Sequence, residues 1–405
     1  MKNKYVNRVD YLEFLKRSMN KHIIKVVSGV RRSGKSTLFK LFIDFLLSSG
    51  ISNDQIFFIN LEDPKFRHFI NDPFALYNYV ENQMKTDKQY YVFLDEIQVV
   101  QDFERAVNGL FLKENIDLYI TGSNAYFLSG ELATFLTGRY IELKMLPLSF
   151  KEFMNWHTQN DITITIDKAF EKYLKSSFPY SLFINSNEEL WDYLQGIYST
   201  VVLNDIVQRL NVQDARNLER LIETMFSSIG SLMNVNKIKN TLNSNGVGIK
   251  GQTIDRYIKG LTDSLIMYSA KRYDIHGRSL LSTHEKYYVV DIGLRQLLLR
   301  DHKEDFGYIM ENIVFLELIR RGNKVYVGKT REYEVDFVAI NARQEISYYQ
   351  VSFNTLDPDV LTRELRPLEA IKDHYPKYLI TMDNFIKTAN YDGIMKVNLL
   401  DWLLE

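Results

Sequence analysis

Val26–Thr37 reads VVSGVRRSGKST, and the rest of the chain is organised around it. Gly29 and Gly34 enclose four residues, and Lys35 and Ser36 follow at once. This is the G-x-x-x-x-G-K-[ST] spacing of a phosphate-binding loop. Glycines let the backbone curl so that successive N–H groups point inward at a phosphate. A helix starting near Lys35 adds its positive dipole end. Lys35 is placed to reach the β- and γ-phosphates of ATP, and the Ser36 hydroxyl to hold Mg²⁺. The expected nucleotide-binding set is Gly29, Arg32, Ser33, Gly34, Lys35, Ser36 and Thr37. For Arg31 and Arg32 the alternatives are contact with phosphate or a neighbour, and solvation. The flanks agree with the loop: His22–Ser28 is a β-branched run that reads as a buried strand, and Leu38–Leu47 reads as an apolar helix.

Working outward, strand and helix patterns alternate. Lys4–Ser18 has the spacing of an amphipathic helix. Gln55–Leu61, QIFFINL, is a second apolar strand, and Pro73 starts a helix running to about Met84. Tyr90–Asp95, YYVFLD, is a third strand, and Glu96 follows it. Four apolar residues and then Asp-Glu have the form of a Walker B element. An acid at the C-terminal end of such a strand sits beside the phosphate loop of an open α/β sheet. Asp95 is placed to hold Mg²⁺ through water, and Glu96 to orient and deprotonate the attacking water.

A helix over Asp102–Lys113 leads to a fourth strand, Leu118–Gly122. Ser123 and Asn124 come next, and Asn124 is a candidate γ-phosphate sensor; a helix cap or turn is the competing use. Thr137–Arg139 precedes a fifth strand, Tyr140–Leu143. Arg139 is a candidate arginine finger or phosphate sensor, in cis or from a neighbouring subunit of a homo-oligomer; an exposed or acid-paired arginine is the alternative. Short connections between strand and helix imply a mainly parallel sheet covered on both faces. Ser149 with Glu152 three residues on forms a capping-box pattern for a helix that leaves this core.

Composition sets the outer bounds. The 405 residues suffice for two to four domains, and 45% hydrophobic with 25% charged residues is ordinary for a globular protein. A net charge of −1 means that any nucleic-acid contact must come from a local basic face. With no cysteine, disulfides, thiolate metal sites and a cysteine nucleophile are excluded. The N-terminal stretch lacks the apolar centre of a signal peptide, and no run approaches the roughly 18 apolar residues of a membrane span. The chain reads as cytoplasmic, with no membrane partner.

SGVRRSGKST, VFLDEIQ, TGSNAYFLSGELATFLTGRY and MLPLSFKEF, in this order, closely resemble the bacterial and archaeal AAA-type ATPases that carry a C-terminal domain of unknown function. YSTVVLNDIV, TIDRYIKGL, KYYVVDIGLR, ENIVFLELIRRG and EVDFVA extend the resemblance over nearly the whole chain. The resemblance implies an ATP-hydrolysing core, a winged-helix middle and a nuclease-like end.

The later residues fit that order. Asp167–Phe178 and Asn187–Leu210 read as helices of a lid. Leu218–Met233, Val235–Leu242 and Thr253–Leu265 are three helical patterns, followed by two β-like runs around His276–Gly277, a hairpin signal. Asn234–Leu299 holds ten Lys/Arg against five Asp/Glu, a local charge of +5. Lys250, Gln252, Arg256 and Lys259 fall on or near a candidate recognition helix, and Arg272 and Arg278 on a candidate wing, which suits DNA phosphates. The competing use is protein docking.

Toward the end, Glu311 lies on a helix, and Glu334 and Asp336 alternate on a strand. The layout is similar to the PD-(D/E)xK nucleases. Gln350 stands where their second acid belongs and Ser352 where their lysine belongs, so a binding-only remnant is expected; Lys329 is the residue that could substitute.

The sequence therefore predicts an α/β P-loop ATPase core over residues 1–160, a helical lid over 161–216, a winged helix over 217–300 and a nuclease-like α/β domain over 301–405. The expected activity is Mg²⁺-dependent ATP hydrolysis that rearranges the C-terminal domains on DNA. The alternative is a nucleotide-controlled protein-interaction switch.

Overall fold

The computed structural model describes residues 5–85, 88–122, 136, 138–244, 246–299 and 306–405. The chain divides into two compact units, Met1–Pro147 with Asp263–Leu265, and Leu148–Thr262 with Ile266–Glu405.

The first unit contains α1 (Val9–Ser18), β1 (Ile24–Ser28), α2 (Lys35–Ser48), β2 (Ile56–Asn60), α3 (Pro73–Gln83), β3 (Tyr90–Asp95), α4 (Phe103–Phe111), β4 (Ile116–Gly122) and β5 (Tyr140–Lys144). Its strands form one sheet in the order β2-β3-β4-β1-β5, and every pairing is parallel. β1 therefore lies inside the sheet with helices on both faces, which is why IKVVS is buried at every position. Ile24 and Val26 pack with Leu76, Val80, Val107 and Leu110 on one face. Val27 packs with Leu38, Phe39 and Phe42 of α2 on the other.

One residue of β1 breaks the apolar run. Lys25 is buried, and its ammonium pairs with Asp117 of β4 and donates to the Lys21 carbonyl at 2.6 Å. Burial lowers its pKa, and Asp117 opposes that shift. The chain leaves β1 toward β2 on one side while β5 lies on the other. The loop after β1 thus emerges where strand order switches, the position at which open α/β sheets bind ligands.

The second unit contains α5 (Phe150–Gln159), α6 (Ile166–Lys175), α7 (Asn187–Thr200), α8 (Ala215–Ser227), α9 (Val235–Ser244), α10 (Gly251–Asp263), β6 (Met267–Asp274), β7 (Ser279–Val289), α11 (Ile292–Leu298), α12 (Phe306–Arg320), β8 (Lys324–Lys329), β9 (Glu334–Ile340), β10 (Ile346–Ser352), α13 (Pro358–Glu369), β11 (Lys377–Thr381), β12 (Ala389–Tyr391), β13 (Ile394–Asn398) and α14 (Leu399–Leu404). Ser149 caps α5 and exchanges hydrogen bonds with Glu152, as the sequence pattern requires.

The boundaries differ from those read in the sequence. α5 belongs to the second unit, because Phe150 packs on Phe170 and Tyr173 of α6 with ring centroids 5.4 and 5.5 Å apart. The expected boundary near residue 300 crosses a single eight-stranded sheet of order β12-β13-β11-β10-β9-β8-β6-β7. The hairpin expected as a free wing supplies two of its strands, since Arg272–Asp274 of β6 pair in parallel with Val327–Lys329 of β8. Edge pairing satisfies backbone groups that a free hairpin leaves to water. Arg272 is consequently half-buried, with Nε enclosed, rather than displayed on a wing; Arg278, at the hairpin turn, is exposed.

Candidate active site

Gly29 follows β1 in a place where only glycine fits. An added Cβ would lie 2.3 Å from the Met145 carbonyl oxygen. Arg32 and Gly34 take left-handed conformations, with φ of 67° and 102°, which curls the loop over the start of α2. Gly34 caps α2 without a side-chain hydrogen bond, so the first amides of the helix are open to an anion. Ser33 Oγ is buried without a partner. Arg32 is exposed, and Arg31 pairs with Glu62 at 3.0 Å.

Lys35 is 97% buried. Its Nζ donates to the Gly29 and Val30 carbonyls at 3.0 and 3.4 Å and lies 3.5 Å from Glu96 Oε1. The ammonium is thus held inside the cradle by groups that a phosphate would replace.

Asp95 ends β3, and Asp95 Oδ1 accepts from Thr121 Oγ1 at 2.6 Å. Asp95 Oδ2 is buried without a hydrogen-bond partner. Burial raises the Asp95 pKa, although the Thr121 and Ser36 hydroxyls pull it down. A buried carboxylate with an open oxygen beside a hydroxyl is an all-oxygen donor pair, and Ser36 and Asp95 fit a hard divalent cation such as Mg²⁺.

Glu96 sits just past the strand at φ 55°, a left-handed conformation rare for a side chain of this size and often found at working sites. Its N–H donates to Thr121 Oγ1 at 2.8 Å, and Gln98 Nε2 donates to Glu96 Oε2 at 2.5 Å. Burial opposes its charge, yet Lys35 and then Gln98 hold its pKa below the usual value, so it is ionised at neutral pH.

The structure therefore brings Lys35, Ser36, Asp95 and Glu96 together. It does not bring Arg139 to them. Arg139 precedes β5, its carbonyl accepts from Ile24 at the start of β1, and its guanidinium bonds Asn108 of α4. That is the N-terminal end of the parallel strands, whereas the loop leaves the C-terminal end of β1, so the structure does not place Arg139 beside the other candidates. Asn124 and Ser123 lie outside the described residues, as does Thr137.

Two contributors escaped the sequence reading. Thr121 links Asp95 to the Glu96 backbone, and its only signal was a hydroxyl at the end of a strand beside β3. Arg8 precedes α1 and is 97% buried. It donates to the Ser33 carbonyl at 3.1 Å and to the Leu146 carbonyl at 2.8 Å, and stacks 4.6 Å from the Tyr11 ring centroid. It ties the phosphate loop to the segment after β5, and nothing local in the sequence marks it.

In the second unit, Gln252, Arg256 and Lys259 are exposed along α10, and Lys250 just before it is exposed as well. Glu311, Glu334 and Asp336 converge, but the lysine that reaches them is Lys286 of β7, not Lys329. Gln350 Oε1 accepts from Asp336 N at 3.3 Å, and Ser352 Oγ donates to the Asn354 carbonyl at 3.2 Å.

The parallel sheet and its loop define the class: this is an AAA-type P-loop ATPase. Residues 21–154 match the family model of an AAA domain, and residues 166–305 match that of a domain of unknown function, DUF8612. The chain is 39% identical over 408 aligned residues to an uncharacterized protein of Haemophilus influenzae, covering 100% of both chains. It is 30% identical to an uncharacterized protein of Methanocaldococcus jannaschii, covering 93% of this chain and 85% of that one. The chain belongs to the family of these two proteins. A Walker-type ATPase of Pyrococcus abyssi shares the fold at a TM-score of 0.50 and 13% identity, covering 73% of this chain and 96% of that one. No helix among the described residues is long and apolar enough to cross a membrane.

Proposed function

We propose that ATP hydrolysis at the loop drives rearrangement of the second unit on DNA. In this reading the loop amides and Lys35 cradle the phosphates, and Ser36 and Asp95 hold Mg²⁺, which when bound neutralises charge developing on the phosphate oxygens. Glu96 accepts the proton of the attacking water, and Gln98 and Thr121 fix its orientation. The observation that carries the assignment is the meeting of Lys35 and Glu96 at 3.5 Å beside an Asp95 oxygen left without a partner. Arg139 has a role only across subunits, in a homo-oligomer.

DNA is supported by the exposed row Gln252, Arg256 and Lys259, spaced at helical period on α10, with Arg278 at the hairpin turn. A second reading, a nucleotide-controlled switch that binds protein and turns over slowly, draws on the apolar pair Phe385 and Ile386, 92% and 51% exposed. ATP turnover with and without duplex DNA separates them. A DNA-handling enzyme is stimulated at about 50 mM salt and loses the stimulation by about 200 mM. Arg256→Ala with Lys259→Ala removes stimulation and leaves basal turnover. Turnover indifferent to DNA at low salt refutes the DNA reading.

A further inference from the structure

The acidic centre of the second unit already holds a cation of the protein's own. Lys286 Nζ lies 2.9 Å from Glu311 Oε1, 3.0 Å from Glu334 Oε1 and 3.7 Å from Asp336 Oδ1, and its side chain is 5% exposed. The three acids come from α12 and β9, and the lysine from the hairpin strand β7. Two further donors of the protein reach these acids. Tyr288 Oη donates to Glu311 Oε1 at 2.6 Å, and Val351 N donates to Asp336 Oδ2 at 2.9 Å. Gln350, at the position of the missing acid, donates its Nε2 to Glu364 Oε2 at 3.0 Å.

A nuclease-like layout implies Mg²⁺ between a helix glutamate and a strand aspartate. The residues present do not fit it. Mg²⁺ needs near-octahedral oxygens at about 2.0–2.1 Å. An ammonium 2.9 Å from the helix glutamate Glu311 and 3.7 Å from the strand aspartate Asp336, with Glu334 at 3.0 Å, occupies the same space and supplies the same sign of charge. Nor is Lys286 placed as a catalytic lysine. Its ammonium lies among three carboxylates and its side chain is 5% exposed, so little of it is open to a water or a phosphate.

We propose that Lys286 replaces the divalent cation of this centre, turning it into a metal-independent tie that fastens the β6–β7 hairpin to α12 and β9. The second unit is then a binding fold whose acids serve packing rather than phosphodiester cleavage. A buried charge cluster needs compensation, and the one ammonium that offsets part of the charge of three acids comes from a strand that the sequence assigns to a separate domain.

The test uses the full chain without nucleotide and Mn²⁺ alone as the probe. Lys286→Met leaves three acids facing one another. Mn²⁺ at about 100-fold excess over its Kd then raises the Tm of this variant by at least about 5 °C, while the wild type moves by less than about 1 °C. Adding Asp336→Asn to Lys286→Met abolishes the gain, which assigns it to this centre rather than to Asp95. A Lys286→Met variant that folds and ignores Mn²⁺ overturns the proposal. So does wild-type stabilisation by Mn²⁺ that Asp336→Asn removes, or Mn²⁺-dependent plasmid cleavage lost in Asp336→Asn. Should Lys286→Met fail to fold, Lys286→Met/Glu311→Gln removes one acid with the cation and enters the same titration, and the wild type compared with Asp336→Asn decides whether metal binds at this centre.

Discussion

Glu96→Gln tests the reading most directly, because the structure predicts opposite effects on binding and turnover. The Glu96 carboxylate lies 3.5 Å from the Lys35 ammonium, and both side chains are at least 90% buried. At an effective dielectric near 20, that separation corresponds to about 5 kcal/mol of gross attraction. Much of it is offset by desolvation, leaving about 1–2 kcal/mol, between the scale of a neutral hydrogen bond and that of a short charged one. ATP must take Lys35 away from this partner. With glutamine in place, the competition disappears, and affinity tightens about 5- to 30-fold. Turnover falls about 10²- to 10⁴-fold, the range for loss of a general base. A second consequence follows from hydrogen bonding. Both Glu96 oxygens accept, one facing Lys35 and one from Gln98, whereas an amide offers a single oxygen. Gln98 must therefore reverse its amide, or the nucleotide-free protein loses about 1–2 kcal/mol. Titration with a fluorescent ATP analogue and phosphate-release kinetics read the two effects. Turnover within about threefold of wild type refutes the base assignment, and weaker ATP binding refutes the competition between Glu96 and phosphate for Lys35.

Lys35→Ala removes the ammonium that the cradle is built around, so ATP affinity falls at least about 100-fold in the same titration while far-UV circular dichroism stays unchanged. Asp95→Asn abolishes Mg²⁺-dependent turnover and yet stabilises the nucleotide-free protein. Burial holds the folded-state pKa of Asp95 above its unfolded value, so the wild type loses stability as pH rises from the unfolded value through the folded one. Thermal melts between about pH 4 and pH 8 show that slope reduced in the variant, and an unchanged slope would sink the argument. Arg8→Ala leaves the Ser33 and Leu146 carbonyls without their buried donor, lowering stability by about 2–4 kcal/mol and ATP affinity with it. Arg8→Lys, which keeps the charge but not the fork, recovers stability better than affinity; equal recovery of both would show that Arg8 does not shape the loop.

The first unit was legible because its signals are local. A glycine is needed at Gly29 for close approach and at Gly34 for a positive φ, and both needs appear directly as residue types. The apolar run ending in Asp95 and Glu96 is continuous because β3 is buried on both faces. Strand direction then placed the acids beside the loop, as parallel crossovers require. The same direction set Arg139 apart: its type suited a phosphate sensor, but its place before β5 puts it at the N-terminal end of the strands, away from the loop. Non-local partners left no such trace. Lys25 looked like one polar residue in a strand until Asp117 met it across β4, and Arg8 looked like an ordinary arginine ahead of a helix.

In the second unit, sequence by itself determined the helices and the hairpin, set by periodicity within short segments, while the expected meeting of Glu311 with the acids of β9 came from the likeness to the nucleases. It could not determine which sheet the hairpin joins, because strand pairing is a choice among distant edges. That choice carried Lys286 into the acidic centre and drew Arg272 into the sheet, and only the tertiary structure made it, since both outcomes depend on backbone hydrogen bonds between β6 and β8 that no local pattern encodes.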